Sequence, residues 1–160
     1  MSEARYPPLR ELVPHDDPML LLDALVDYAP GEATCRLVIR EGAAFVEDGV
    51  VDCVVAIEYM AQAVAACLGY EARQSGGGVR VGMIIASRRF DIAVPRLYVG
   101  EVFDVRIVRT RGDDVLSHCE ARVERAGGGE VVASAQLTIF HAERPPEDEG
   151  APPPISAAGR

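Results

Sequence analysis

The chain has 160 residues, 49% hydrophobic and 26% charged, with a net charge of −9; this suits one domain with its own core. The acidic balance argues against nucleic acid as a partner, because binding phosphates calls for a basic face. All 16 basic residues are arginine, a bias with no functional reading of its own.

The start, MSEARYPPLR, is polar and proline-bearing, unlike a secretory leader. Residues 19–28, MLLLDALVDY, form an apolar segment stopped by the turn signal Pro30-Gly31. Residues 32–40 alternate and put Ala33, Cys35, Leu37 and Ile39 on one face, as a strand does. A helix is predicted from 53 to about 72, with Asp52 as its cap and Ser75-Gly76-Gly77-Gly78 as its stop. It is apolar nearly all round and so is expected to be buried. Asp52, Glu58 and Gln62 interrupt it, and no membrane span is expected.

Four strands are predicted after the helix. Residues 81–94 end at Pro95. Residues 101–109 put Phe103, Val105 and Ile107 on one face; 115–124 do the same for Val115, Ser117, Cys119, Ala121 and Val123. Residues 130–141 align Val131, Ala133, Ala135, Leu137 and Ile139. The short turns at 111–114 and 127–129 suit hairpins. One buried helix and an antiparallel meander predict an α+β fold with the sheet wrapped around the helix. The domain is placed at 1–143, and 144–160, an acidic stretch with five prolines, is predicted to be a disordered tail. Cys35, Cys53, Cys67 and Cys119 are far apart with no CxxC pair, so no metal is expected. Without a leader, the thiols are expected to be reduced and buried, and the protein cytoplasmic.

Glu58 is the anomaly, a carboxylate inside an apolar helix with Gln62 one turn on. Counted from Asp52 it lies beyond the first turn, where the helix dipole no longer favours it. A carboxylate buried without a partner is costly as an ion and tends to stay protonated, as a general acid must. The plainer reading is a glutamate at a subunit edge, solvated or paired with an arginine. Of the three histidines, His118 reads as a solvated strand residue and His141 as surface. His15 sits in VPHDDPMLLLD, between Pro14 and Pro18, which stiffen the loop; on composition alone it is a loop residue bonded to Asp16 or Asp17.

Two stretches carry a resemblance that shifts these readings. VPHDDPMLLLD, with Pro14, His15, Pro18, Leu22 and Asp23, resembles the amino-terminal motif of the beta-hydroxyacyl-acyl-carrier-protein dehydratases. IEYMAQ, with Glu58, Met60, Ala61 and Gln62, resembles their central-helix motif. RRFDIAVPRLYVG is a weaker third match, and the similarity runs over roughly residues 9–142. The resemblance implies the hot-dog fold, a long helix wrapped by an antiparallel sheet and paired into a dimer. It also implies an acid on the helix working with a histidine of the other subunit. The family's usual histidine loop before the helix is replaced here by the shorter FVEDGVVDCVVAIE, which has no histidine. In that respect the chain resembles a divergent subfamily, the predicted 3-hydroxyacyl-carrier-protein dehydratases of aryl-polyene-type biosynthesis.

The resemblance implies dehydration of a 3-hydroxyacyl thioester to the trans-2-enoyl thioester. No cofactor is expected beyond the phosphopantetheine that an acyl carrier protein brings. Glu58 is the expected acid, Gln62 its orienting neighbour, and His15 the expected base in place of the missing loop histidine. Backbone N–H groups of the Asp52–Val55 region, with Asp52, Cys53 and Val54 as its substrate-side residues, or of a nearby turn, are expected to steady the oxyanion. Arg80, Arg88, Arg89 and Arg96 are the expected docking patch for the acidic carrier protein. The partner subunit is expected to be a second copy or a related hot-dog chain. Two alternatives stand: a non-catalytic half of a heterodimeric dehydratase, and a thioesterase of the same fold.

Overall fold

The computed structural model describes residues 4–143; the predicted tail 144–160 lies outside them, as do residues 1–3. Strands β1 (Ala24–Ala29) and β2 (Glu32–Val38) form a hairpin at Pro30-Gly31, where Gly31 takes a φ of 75° that a side chain would resist. Then come β3 (Val50–Asp52), a single turn of 3-10 helix at Cys53–Val55, and α1 (Ala56–Gln74). The remaining strands are β4 (Arg80–Ile92), β5 (Arg96–Tyr98), β6 (Val102–Gly112), β7 (Leu116–Arg125) and β8 (Val131–Glu143).

Six strands make one antiparallel sheet in the order β1-β2-β6-β7-β8-β4, and β3 and β5 make a separate two-stranded ribbon. The sheet curls around α1, which packs against β2, β4, β6, β7 and β8. The inward faces are those the alternation predicts: Cys35, Phe103, Val105, Ile107, Val123 and Leu137 are buried. Only the outermost members, Val115 and Val131, are exposed. All four cysteines are free and buried; burial pushes the Cys35 thiol up to about 12 and the Cys119 thiol to about 11, so neither is a ready nucleophile.

Cys53–Gln74 is long and apolar enough to cross a bilayer by length and composition, contrary to the expectation from its interruptions. The enclosing sheet accounts for that composition: Ala56, Met60, Ala63, Val64, Ala66 and Cys67 are all buried against it. A second correction concerns where the helix starts. Cys53–Val55 turn as 3-10, with the Asp52 carboxylate accepting from Val54 N–H at 2.9 Å, and α-helix begins only at Ala56. Glu58 is therefore in the first α-turn, where the helix dipole favours a carboxylate.

The other end of α1 is tied to the sheet by Glu71. It accepts from Arg109 at 2.9 and 3.1 Å, from Gly31 N–H at 3.0 Å and from Tyr28 Oη–H at 3.3 Å. Burial alone would raise this carboxyl, but the bonds from Arg109, Gly31 and Tyr28 outweigh it and hold the group below the usual carboxylate range. Glu71→Ala strands Arg109 with no counter-charge, although both side chains keep about a quarter of their exposure. The expected loss is about 2 to 3 kcal/mol, under that of a fully buried pair, read from the urea midpoint at unchanged slope.

β4 lies at the sheet's edge, pairing with β8 on one side only. It leaves a long backbone edge unpaired and carries exposed Val81, Met83, Ile85 and Ile92.

Candidate active site

Two anchors hold the amino-terminal segment across α1. The first is Leu12, whose carbonyl oxygen would lie 1.8 Å from a Cβ at Gly69, so the backbones touch only because position 69 has no side chain. Buried Leu9, Leu12 and Val13 pack there, and Arg73 Nη1 meets Glu11 Oε2 at 2.7 Å. The second anchor is Gln62, itself fully buried. Its Oε1 accepts from Leu21 N–H at 2.9 Å, and its Nε2 donates to Met19 O at 2.7 Å and to Glu58 Oε1 at 2.9 Å. The Leu21 donor fixes which way round the amide sits.

Between the anchors the chain lays His15 beside Glu58, with Nε2 3.4 Å from Oε1, inside one chain. The family resemblance implied a pairing across subunits. Glu58 is also less sequestered than its apolar neighbours suggest: its side chain keeps 33% of its exposure and that of His15 28%. His15 Nδ1 is nevertheless buried and has no hydrogen-bond partner. Oε1 is engaged by Gln62, and Oε2 has no hydrogen bond to the described residues.

Both side chains line a cavity of about 280 Å³. Ala61, Ala65, Leu68, Ile84 and Ile139 supply its apolar wall. Asp52, Cys53 and Val54 are not among its lining residues. Their donors are also already used: Cys53 N–H goes to Pro95 O at 3.0 Å and Val54 N–H to Asp52 Oδ1. The expected oxyanion role is thus corrected at Cys53 and Val54 by their own hydrogen bonds.

Two residues read as surface groups, His141 and Arg80, also line the cavity. His141 is 4% exposed, correcting its surface reading; His118 is half-buried, with Nδ1 3.1 Å from Thr138 Oγ1. Arg80 Nε donates to His141 Nδ1 at 3.0 Å. Because arginine has no acceptor, Nδ1 must present its lone pair, and the proton is on Nε2, 3.0 Å from Ser117 Oγ. Burial, then the Arg80 charge, hold His141 below its usual range, which keeps it neutral. Ser117 thus accepts from the imidazole, the reverse of an activated nucleophile.

The four arginines of the expected docking patch are not together. Arg80 is half-buried in the cavity wall, eight residues and about 26 Å of strand away from Arg88. Arg88 and Arg96 are exposed, and Arg89 is paired with Asp91.

The comparisons with known proteins agree with this architecture. No curated protein matches in sequence. Among solved structures, the chain is similar to one titled the dehydratase heterocomplex ApeI:P from Xenorhabdus doucetiae. That match has 23% identity and a TM-score of 0.82, over 88% of this chain and 94% of that one. It is similar to the phenylacetic acid degradation protein PaaI of Thermus thermophilus, at 19% identity and a TM-score of 0.54, covering 73% and 90%. Thioesterase superfamily member 2 of Mus musculus matches at 15% identity and a TM-score of 0.53, covering 74% and 80%. At these identities the likeness establishes the hot-dog fold. The ApeP-like family, described as ApeP dehydratase, matches residues 7–149, most of the sequence. The chain belongs to that family of dehydratases.

Proposed function

We propose that the chain dehydrates a 3-hydroxyacyl thioester, carried on the phosphopantetheine arm of an acyl carrier protein, to the trans-2-enoyl thioester. The observation that carries this reading is the approach of His15 Nε2 to Glu58 Oε1, 3.4 Å apart in a mostly apolar cavity. Glu58 Oε1 takes the Gln62 N–H and faces the His15 ring, so in the acting form the proton for the leaving group is carried on Oε2. His15 Nδ1 is buried, so the ring nitrogen that acts is Nε2, beside Glu58. Nε2 takes the C2 proton, the C3–O bond breaks, and Oε2–H protonates the departing hydroxyl to give water. The chain is left with an imidazolium beside a carboxylate, and the charge on His15 offsets the enolate as it forms. Returning one proton from His15 to Glu58 resets the site. Protons and water are all that move, so the reaction calls for no cofactor of the protein's own.

The partner we propose is a related hot-dog subunit paired along β4. The unpaired edge and its exposed Met83 and Ile85 support this, together with the heterocomplex to which the chain is similar. Exposed Arg88 and Arg96 remain for steering an acidic carrier protein.

The test is to supply a 3-hydroxyacyl thioester to the chain alone and to the chain with its partner subunit, and to identify the product. Enoyl thioester is expected. Free acid would mean thioester hydrolysis instead. Enoyl product that forms equally well with Glu58→Gln would assign catalysis to the partner and leave this chain as its non-catalytic half.

A further inference from the structure

Arg80 is unusual among the half-buried arginines of this acidic chain. Arg36, Arg106, Arg109 and Arg125 each reach a carboxylate. Arg80 meets only neutral groups: His141 Nδ1 at 3.0 Å, Asp114 O at 2.7 Å and His141 O at 3.5 Å. Nη1 has no partner among the described residues. The side chain is half-buried in the wall of the His15–Glu58 cavity. A guanidinium drawn partly out of water and left without a counter-charge is a binding group short of its ligand, and its planar fork suits a carboxylate or phosphate.

The fold puts Arg80 at the opposite end of that cavity. Glu58, Ala61, Ala65 and Leu68 line one face of α1, and that face runs about 15 Å from Glu58 to Leu68. Residues 75–79 then turn the chain into β4, which returns antiparallel to the helix. Its far end approaches the helix start, where Arg96 of β5 lies opposite Asp52 of β3 in the ribbon and Pro95 O accepts from Cys53 N–H. Arg80 opens β4 and so stands near the Leu68 end. Gly82, opposite His141 in the sheet, adds no side chain to the space between. The imidazole does not compete for the ligand, because its lone pair is held by Arg80 and its proton by Ser117.

We propose that Arg80, seated on His141, is an oxyanion-binding subsite at the far end of the reaction cavity. It takes a carboxylate or phosphate of the substrate, about 15 Å along the helix from the reacting carbon. Two parts of an acyl-phosphopantetheine can present such a group: a carboxylate ending the acyl chain, or the phosphate of the arm. The proposal rests on the dehydratase reading only for the ligand's acyl-pantetheine character.

The test is calorimetric binding of four unreactive ligands to the protein assembled with its partner subunit. These are saturated acyl-pantetheine amides with and without a terminal carboxylate, each with and without the 4′-phosphate. Wild type is expected to bind an oxyanion-bearing ligand at least tenfold more tightly than the neutral one. Arg80→Met abolishes that preference, Arg80→Lys restores part of it, and neither changes affinity for the neutral ligand. Preference for the carboxylate places the acyl end at Arg80; preference for the phosphate places the arm there. If wild type shows no preference, or Arg80→Met weakens all four ligands alike, the subsite does not exist. The wild-type comparison decides even if a variant fails to fold. No bond is made or broken in the measurement, so Glu58→Gln should bind as wild type does, whatever becomes of the dehydration assay.

Discussion

His15→Ala and Glu58→Gln are each expected to lower kcat by about 10²–10⁴-fold, the range for a positioned general base or acid, and to leave KM nearly unchanged. Neither change should unfold the chain, since both side chains keep roughly a third of their exposure and neither supports the core. Glu58→Gln keeps the volume and an oxygen for Gln62 Nε2–H but has no acidic proton for the leaving hydroxyl. The double variant should be little worse than the worse single one, because the two groups act on one substrate in one step. Full multiplicative loss would mean that they act independently and would break the mechanism. Dehydration that survives His15→Ala would assign the base to another group, most directly to the partner subunit. The assay is steady-state enoyl formation from a 3-hydroxyacyl thioester by the assembled protein, with circular dichroism as the control for folding.

Strands β2, β6, β7 and β8 were legible because each runs for seven residues or more and buries one alternating face. Phe103, Val105 and Ile107 share a face in the sequence and in the fold. β3 and β5 were not legible, since three residues carry no period. The helix start was misplaced because Cys53, Val54 and Val55 are apolar whether they turn as 3-10 or as α. That slip hid the reason Glu58 sits comfortably where it does. His141 was missed although its signal was present. It continues the parity of Ala133, Ala135, Leu137 and Ile139, which assigns it inward, and only its position at the chain's last polar stretch suggested surface. Arg80 shares parity with Gly82 and Ile84 in the same way. The His15–Glu58 approach had no periodic signal. It depends on a loop's path across a helix, and that path depends on a glycine which the sequence alone does not mark as special.

Gly69→Ala is expected to reduce kcat by about 10²-fold, the cost of displacing a catalytic group by about 1 Å, with the fold kept. Alanine would by itself favour the helix by up to about 1 kcal/mol. Against that stands a Cβ 1.8 Å from Leu12 O and 2.7 Å from Leu12 C, both backbone atoms that no rotamer change can move aside. The amino-terminal segment must lift from α1. Since it buries Leu9, Leu12 and Val13, the overlap costs about 1–3 kcal/mol, a modest net loss of stability. The sheet and the rest of the helix do not depend on this crossing, whereas His15 follows Leu12 by three residues and moves with it. Gly78→Ala is the control: no atom lies within 4 Å of its Cβ position, and turnover should be that of wild type. The expected signature is a small fall in melting temperature beside a large fall in kcat. Equal loss of both would mean that the segment only stabilises the fold. Unchanged turnover with the segment still protected from proteolysis would mean that His15 does not need this seat.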